Sequence, residues 1–148
     1  MEPPLAGSTP RLQVELPLRV QGYDIDFARI VSNIVYVRWL EDLRLHFCDR
    51  YYPVEEMIAQ DFVPVLGSTH IEYKRAIRFG DEVVGRIWFH EFDGPRWTFH
   101  FEILVNGATS ATATQTGVFV RLSNTRPIRV PKDLFERFQA TTPPGQAE

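Results

Sequence analysis

The sequence predicts an α+β domain in which an antiparallel sheet of about five strands wraps around one long central helix. Three observations carry this. Apolar residues recur at Tyr36, Leu40, Leu43 and Phe47, the spacing of one helical face. Several later segments alternate apolar and polar residues with the period of a half-buried strand. The joints between those segments are tight-turn sequences, Gly80-Asp81, Asp93-Gly94-Pro95 and Asn106-Gly107, and such turns make sequential strands antiparallel neighbours.

In chain order, residues 1–10 are rich in Pro and Gly and read as a loose tail. Arg11 to Val20 alternates, with Leu12, Val14, Leu16, Leu18 and Val20 on one side, and Pro17 assigns this strand to an edge or a bulge because it cannot donate to a ladder. Gly22 ends it. The segment Tyr23 to Arg44 then opens on Asp24 and Asp26 and continues as the apolar helix, which Ile34, Val35, Val37 and Trp39 widen well beyond a surface stripe. Ser32 or Asn33 is the expected N-cap, since either side chain can accept from an orphan amide of the first turn. Pro53 starts a short helix through Gln60, and Pro64 and Gly67 close that connection. Strands follow over Thr69–Phe79, Glu82–Phe92, Trp97–Val105 and Ser110–Leu122, the last with Ser110, Thr112, Thr114 and Thr116 on one face. Pro131–Phe138 reads as a terminal helix. The domain is expected to span 11–138, with a second tail over 139–148.

The start of the central helix is the candidate site. A helix N-terminus presents free N–H groups and a partial positive charge, and Asp26 lies just upstream. A carboxylate beside such donors can attack a carbonyl or activate water while the N–H groups hold the oxyanion. Spacing alone equally allows Asp24 and Asp26 to be loop or capping residues.

The residues Asp24, Asp26, Val31, Asn33, Tyr36 and Glu41 resemble the signature of the 4-hydroxybenzoyl-CoA thioesterase-like branch of the hotdog-fold superfamily. IEYKRAIRFGDEV and VRLSNTRPIRVPKDL look like its second strand and its closing strand, so the resemblance runs from about Arg11 to Phe138. It implies the hotdog fold and hydrolysis of an acyl-CoA or acyl-carrier-protein thioester. Asp26 would be nucleophile or general base, and the Asn33 backbone N–H the oxyanion donor. It also implies a homodimer or homotetramer with sites at the subunit interface, the acyl group running between the central helices. The chain departs from the pattern at Ala28 and Arg29, where the family usually has Gly, so this loop is expected to follow its own path. Two rivals stay open: a non-catalytic acyl-CoA-binding protein, and an enoyl-thioester hydratase or dehydratase. The latter uses a His, and none stands in the Asp loop or at the helix start.

Other candidates fall around this site. Tyr23 and Tyr36 are packing residues or line the acyl tunnel. Glu41 supports the helix or touches substrate. Arg78, with Lys74, Arg75, Arg121, Arg126 and Arg129, is a candidate for the phosphates of CoA. Thr114, with Thr112 and Gln115, is a candidate for lining the site from the last strand. His46, His70, His90 and His100 lack close metal-ligand spacing, and no metal or other cofactor is expected.

Composition bounds the remaining classes. At 148 residues with 44% hydrophobic content the chain can bury a real core. A net charge of −3 argues against a general nucleic-acid binder. The single cysteine, Cys48, permits no internal disulfide and is expected to be a buried thiol. No secretory leader and no membrane-spanning run is legible, so a cytoplasmic location is expected.

Overall fold

The structure, a computed structural model, describes residues 12–140. The expected tails lie outside these residues, apart from Gln139 and Ala140, which close the last helix. The elements run β1 (Gln13–Leu18), α1 (Asn33–Tyr51), α2 (Val54–Ala59), β2 (Phe62–Tyr73), β3 (Val83–Asp93), β4 (Arg96–Val105), β5 (Ala108–Arg121), β6 (Pro127–Ile128) and α3 (Lys132–Ala140). The strands form one sheet in the order β1-β3-β4-β5-β2, every pairing antiparallel. β5 outruns β4 beyond Val118 and there pairs with the short β6. The hotdog expectation holds: a single antiparallel sheet curls around α1.

One face of the sheet makes the core. Trp97, Phe99, Phe101, Ile103 and Val105 alternate along β4 and are all buried. They meet Val35, Tyr36, Trp39, Leu40, Leu43 and Phe47 of α1. The helix lies close enough that a Cβ on Gly85 of β3 would stand 2.7 Å from Leu43, so glycine there admits the helix. α3 seals one end, stacking Phe138 against Phe47, Phe89 and Phe92, and Tyr52 donates to Asp133 at 2.8 Å.

The structure revises several expectations. β2 begins at Phe62 and ends at Tyr73, so Pro64 and Gly67 lie within a strand. β2 is an edge strand, where a missing N–H is tolerated, and the register shifts between Leu66 and Ser68, beside Gly67. Ile77 and Phe79 therefore belong to the loop after β2, with Ile77 fully buried and Phe79 68% exposed. A second irregularity, between Ile103 and Leu104, places Ser110 out of phase with Thr112. Its hydroxyl turns to α1, within 3.0 Å of the Tyr36 hydroxyl, while it donates to the Arg75 carbonyl. Ser32, not Asn33, is the N-cap of α1. Ile34 and Val37 remain 74% and 46% exposed, so this chain alone does not wrap the helix fully. Among the described residues no helix is long and apolar enough to cross a membrane.

Candidate active site

The loop from Asp24 to Ser32 carries Asp26 and leads directly into α1. A 3-10 turn over Gly22–Asp24 ends β1's exit. Asp24 is buried; its carboxylate accepts from the Gln21 N–H at 2.8 Å and from the Arg38 guanidinium at 2.8 Å. That makes Asp24 the anchor of the loop. Ile25 bridges antiparallel to Val31, the Asp26 N–H donates to the Ile30 carbonyl at 2.9 Å, and the Ser32 N–H donates to the Asp24 carbonyl at 2.9 Å. The loop is thus a miniature hairpin whose two sides are pinned to each other immediately before the helix.

The Asp26 carboxylate is partly exposed, and its Oδ1 accepts from the Ala28 N–H at 2.8 Å. Arg29, where glycine is usual in the resembled pattern, adopts φ +65°. That is the left-handed region glycine adopts without a steric cost. Asn33 is the first residue of α1, and its N–H and that of Ile34 have no intrahelical acceptor. The Val31 N–H donates to the Ile77 carbonyl at 2.8 Å. This bond draws the loop carrying Lys74, Arg75 and Arg78 against the Asp26 loop.

The expected site residues separate into groups. Asp26 lies in the hairpin that leads into α1, and Asn33 is the first residue of that helix. Tyr36 lies one turn along, buried against Tyr73 with ring centroids 4.9 Å apart, and the Tyr73 hydroxyl reaches the Asn33 carbonyl at 3.5 Å. Burial raises the pKa of both phenols, which keeps them protonated hydrogen-bond donors. Arg78 is exposed on the neighbouring loop. Glu41 stands further along α1 and pairs with Arg44 at 2.6 Å. Tyr23, 82% exposed, opens instead onto a groove between β1 and α1 that also holds Arg38, Asp42 and His46. Thr114 is not brought to the site: it lies on the sheet face away from α1, its hydroxyl 3.2 Å from His100 Nδ1. Gln115, next to it, is the β5 residue that faces the helix, bound by Arg44.

Sequence reading misses Tyr73 and Ser110 as neighbours of the helix start. The apolar alternation puts Tyr73 inside a strand running to Phe79, and the bulge that turns Ser110 inward arises from pairing with β4, which no local pattern announces. Cys48 is buried, and desolvation raises its thiol to about 11, so it is an inert core residue. Among the described residues no group of three or more His, Cys, Asp and Glu could hold a metal ion.

Residues 20–138 match the model of the thioesterase-like superfamily. A relative from Aquifex aeolicus (strain VF5), named "Putative esterase", is 27% identical over 119 residues, covering 80% of this chain and 91% of that protein. A thioesterase superfamily structure from Jannaschia sp. CCS1 superposes with a TM-score of 0.85 at 16% identity, over 97% of this chain and 99% of that one. A Thermus thermophilus thioesterase, complexed with coenzyme A and Zn, gives a TM-score of 0.75 at 24% identity over 86% of this chain and 92% of its own. At these identities the two structures share the fold.

Proposed function

This chain belongs to the thioesterase-like superfamily, and on that premise we propose that it hydrolyses acyl-CoA thioesters, or the same acyl group on a carrier protein, with Asp26 as its catalytic carboxylate. The observation that carries the reading is the Ile25–Val31 bridge, which pins the Asp26 loop to the residue preceding the N-cap of α1.

The chemistry follows from that juxtaposition. The thioester carbonyl oxygen accepts from the Asn33 N–H, and the positive end of α1 stabilises the charge that grows on it. Asp26 then attacks the carbonyl carbon. The C–S bond breaks, the thiolate leaves and takes a proton, and water opens the mixed anhydride to return the carboxylate and the free acid. Alternatively Asp26 takes the proton from a water that attacks directly; thiol and acid are the products either way. Lys74, Arg75 and Arg78, on the loop held against Val31, are candidates to receive the phosphates of CoA. The coenzyme A bound to the Thermus thermophilus relative supports that substrate class. A reducing, cytoplasmic setting suits the lone buried Cys48.

We infer further that the active form is a homodimer or a dimer of dimers. The free edge of β2 and the exposed Ile34, Val37 and Tyr73 form an apolar margin beside the helix start that a second copy would cover. Sedimentation equilibrium giving twice or four times the chain mass is expected, and a monomer at micromolar concentration would refute it.

The decisive assay is free-thiol release from a panel of short, long and aromatic acyl-CoAs. Asp26→Asn is expected to lower turnover by about a hundredfold or more while the melting temperature is kept. Near-normal turnover in that variant removes Asp26 from the mechanism.

A further inference from the structure

Taking the thioesterase reading as its premise, we propose that Arg44 is the end stop of the acyl site, limiting the enzyme to acyl groups that end before the third turn of α1. Arg44 stands eleven residues after Asn33, about three full turns and roughly 16 Å along the same side of the helix. At the Asn33 end the sheet meets the helix through Tyr73, whose hydroxyl reaches the Asn33 carbonyl. At the Arg44 end it does so through Gln115, which accepts from the guanidinium and itself donates to Thr69 Oγ1 at 3.1 Å. Tyr73 and Thr69 are both on the helix-facing side of β2, four residues apart. The margin between these two contacts is apolar, flanked by Ile34 and Val37 of α1 and by Ile71 and Tyr73 of β2, until Glu41 and Arg44 close it with an ion pair. An acyl chain whose carbonyl sits at Asn33 has this margin as its way onward, whether or not a second subunit roofs it.

Arg44 ends the margin with a fixed charge. Its side chain is only 11% exposed, bonded to Glu41 as well as to Gln115, and its guanidinium lies 5.7 Å from the centre of the Trp97 ring. Gln115 is 1% exposed, so the far anchor is immobile. A methylene chain pushed into this cluster would strip water or partners from an ion pair and gain no contact in return. Behind Arg44 lies an enclosed seam of apolar side chains, Cys48, Met57, Trp97, Phe99, Phe119 and Phe138, to which Arg44 itself contributes. The guanidinium therefore separates an open apolar margin from a closed apolar interior. That interior is packed, with about 10 Å³ of free space, so replacing the guanidinium relaxes the limit by removing the cost of desolvating the ion pair from the acyl chain's path.

The test compares wild type with Arg44→Met and, should that variant fold poorly, Gln115→Leu, which frees the same guanidinium. Saturated acyl-CoAs from four to sixteen carbons are the probes, and the readout is the ratio of kcat/KM for long chains to that for short ones. Wild type is expected to lose activity steeply towards the long end. The variant should raise the long-to-short ratio by about tenfold or more, the effect of fewer than two methylenes gaining burial. The same probes bound calorimetrically to Asp26→Asn and to the Asp26→Asn/Arg44→Met pair give the length preference without turnover. An unchanged length profile in both formats overturns the stop, even with the wild type active. Hydrolysis failing while binding still shows a length limit relaxed by Arg44→Met overturns the enzyme reading alone.

Discussion

Arg29 shows how much a single backbone angle can be asked to carry. It sits at φ +65° in the loop that aims Asp26, a region that costs a residue with a Cβ about 1–2 kcal/mol. Glycine would remove that cost and return part of it as chain entropy in the unfolded state. Arg29→Gly is therefore expected to stabilise the fold by about 0.5–1 kcal/mol, a rise of roughly 2–4 °C at most in Tm, read by thermal melting. Destabilisation would mean that the Arg29 side chain does work the loop geometry does not show. The same residue explains what was legible here. The Asp-x-Asp pair and the helix start could be read directly, because carboxylates before an apolar helical run are a local signal. The loop's path could not: Arg29 stands where glycine is usual, and it accepts the strained angle because the Ile25–Val31 bridge over-determines it. Nor could the roles of Asp24 and Asp26 be divided by spacing; it took the burial of the Asp24 carboxylate against Arg38 to separate the anchor from the partly exposed carboxylate.

At the scale of elements, β4 was legible throughout, since every second residue from Trp97 to Val105 is apolar and Asn106-Gly107 marks its end. β2 was not, because Pro64 and Gly67 are breakers in most strands and are accommodated here only by position, on an edge and beside a bulge. On β5 the two-residue alternation was visible, but the face turned to the helix was not. Ala111, Ala113 and Gln115 are no more apolar as a set than the threonines between them, and the choice is made by α1 needing small residues and an anchor for Arg44. Gly117 continues that inner row. A Cβ there would collide with the Val65 carbonyl and the Trp97 indole, both held in the ladder or the core. Gly117→Ala is expected to cost about 3 kcal/mol, in the range of a strained core substitution. Chemical denaturation measures it, and a loss below about 1 kcal/mol would show that β2 and Trp97 can part at that point.

For the whole molecule, the sheet face away from α1 sets an acid limit. His100 on β4 is half-buried beside His90, Trp88 and Thr114. Desolvation first, and then the neighbouring His90, depress its pKa from 6.5 to about 4. The folded value lies below the unfolded one, so between these limits the unfolded chain binds a proton that the native state refuses. The contribution is present in full above pH 6.5 and is lost as the pH falls towards about 4. Melting of wild type and His100→Gln at pH 7.5 and at about 4.5 should show a smaller acid-induced drop in the variant. Equal drops would remove His100 from the acid sensitivity.

The strand order also fixes a sequence of events in time. β3, β4 and β5 are joined by tight turns and can pair as soon as they exist, whereas β1 must reach β3 across α1, as in the Val14–Ile87 pairing, and β2 must wait for β5, as in Phe62–Arg121. A ribosome therefore releases α1, the longest helix among the described residues, before three of the strands that bury it have been synthesised. During that interval its core face is exposed, and distant pairings close slowly. The half of the molecule that carries Asp26 is the first to be made and the last to be finished, so chaperone dependence and misfolding losses should fall hardest on the segment proposed to hold the chemistry.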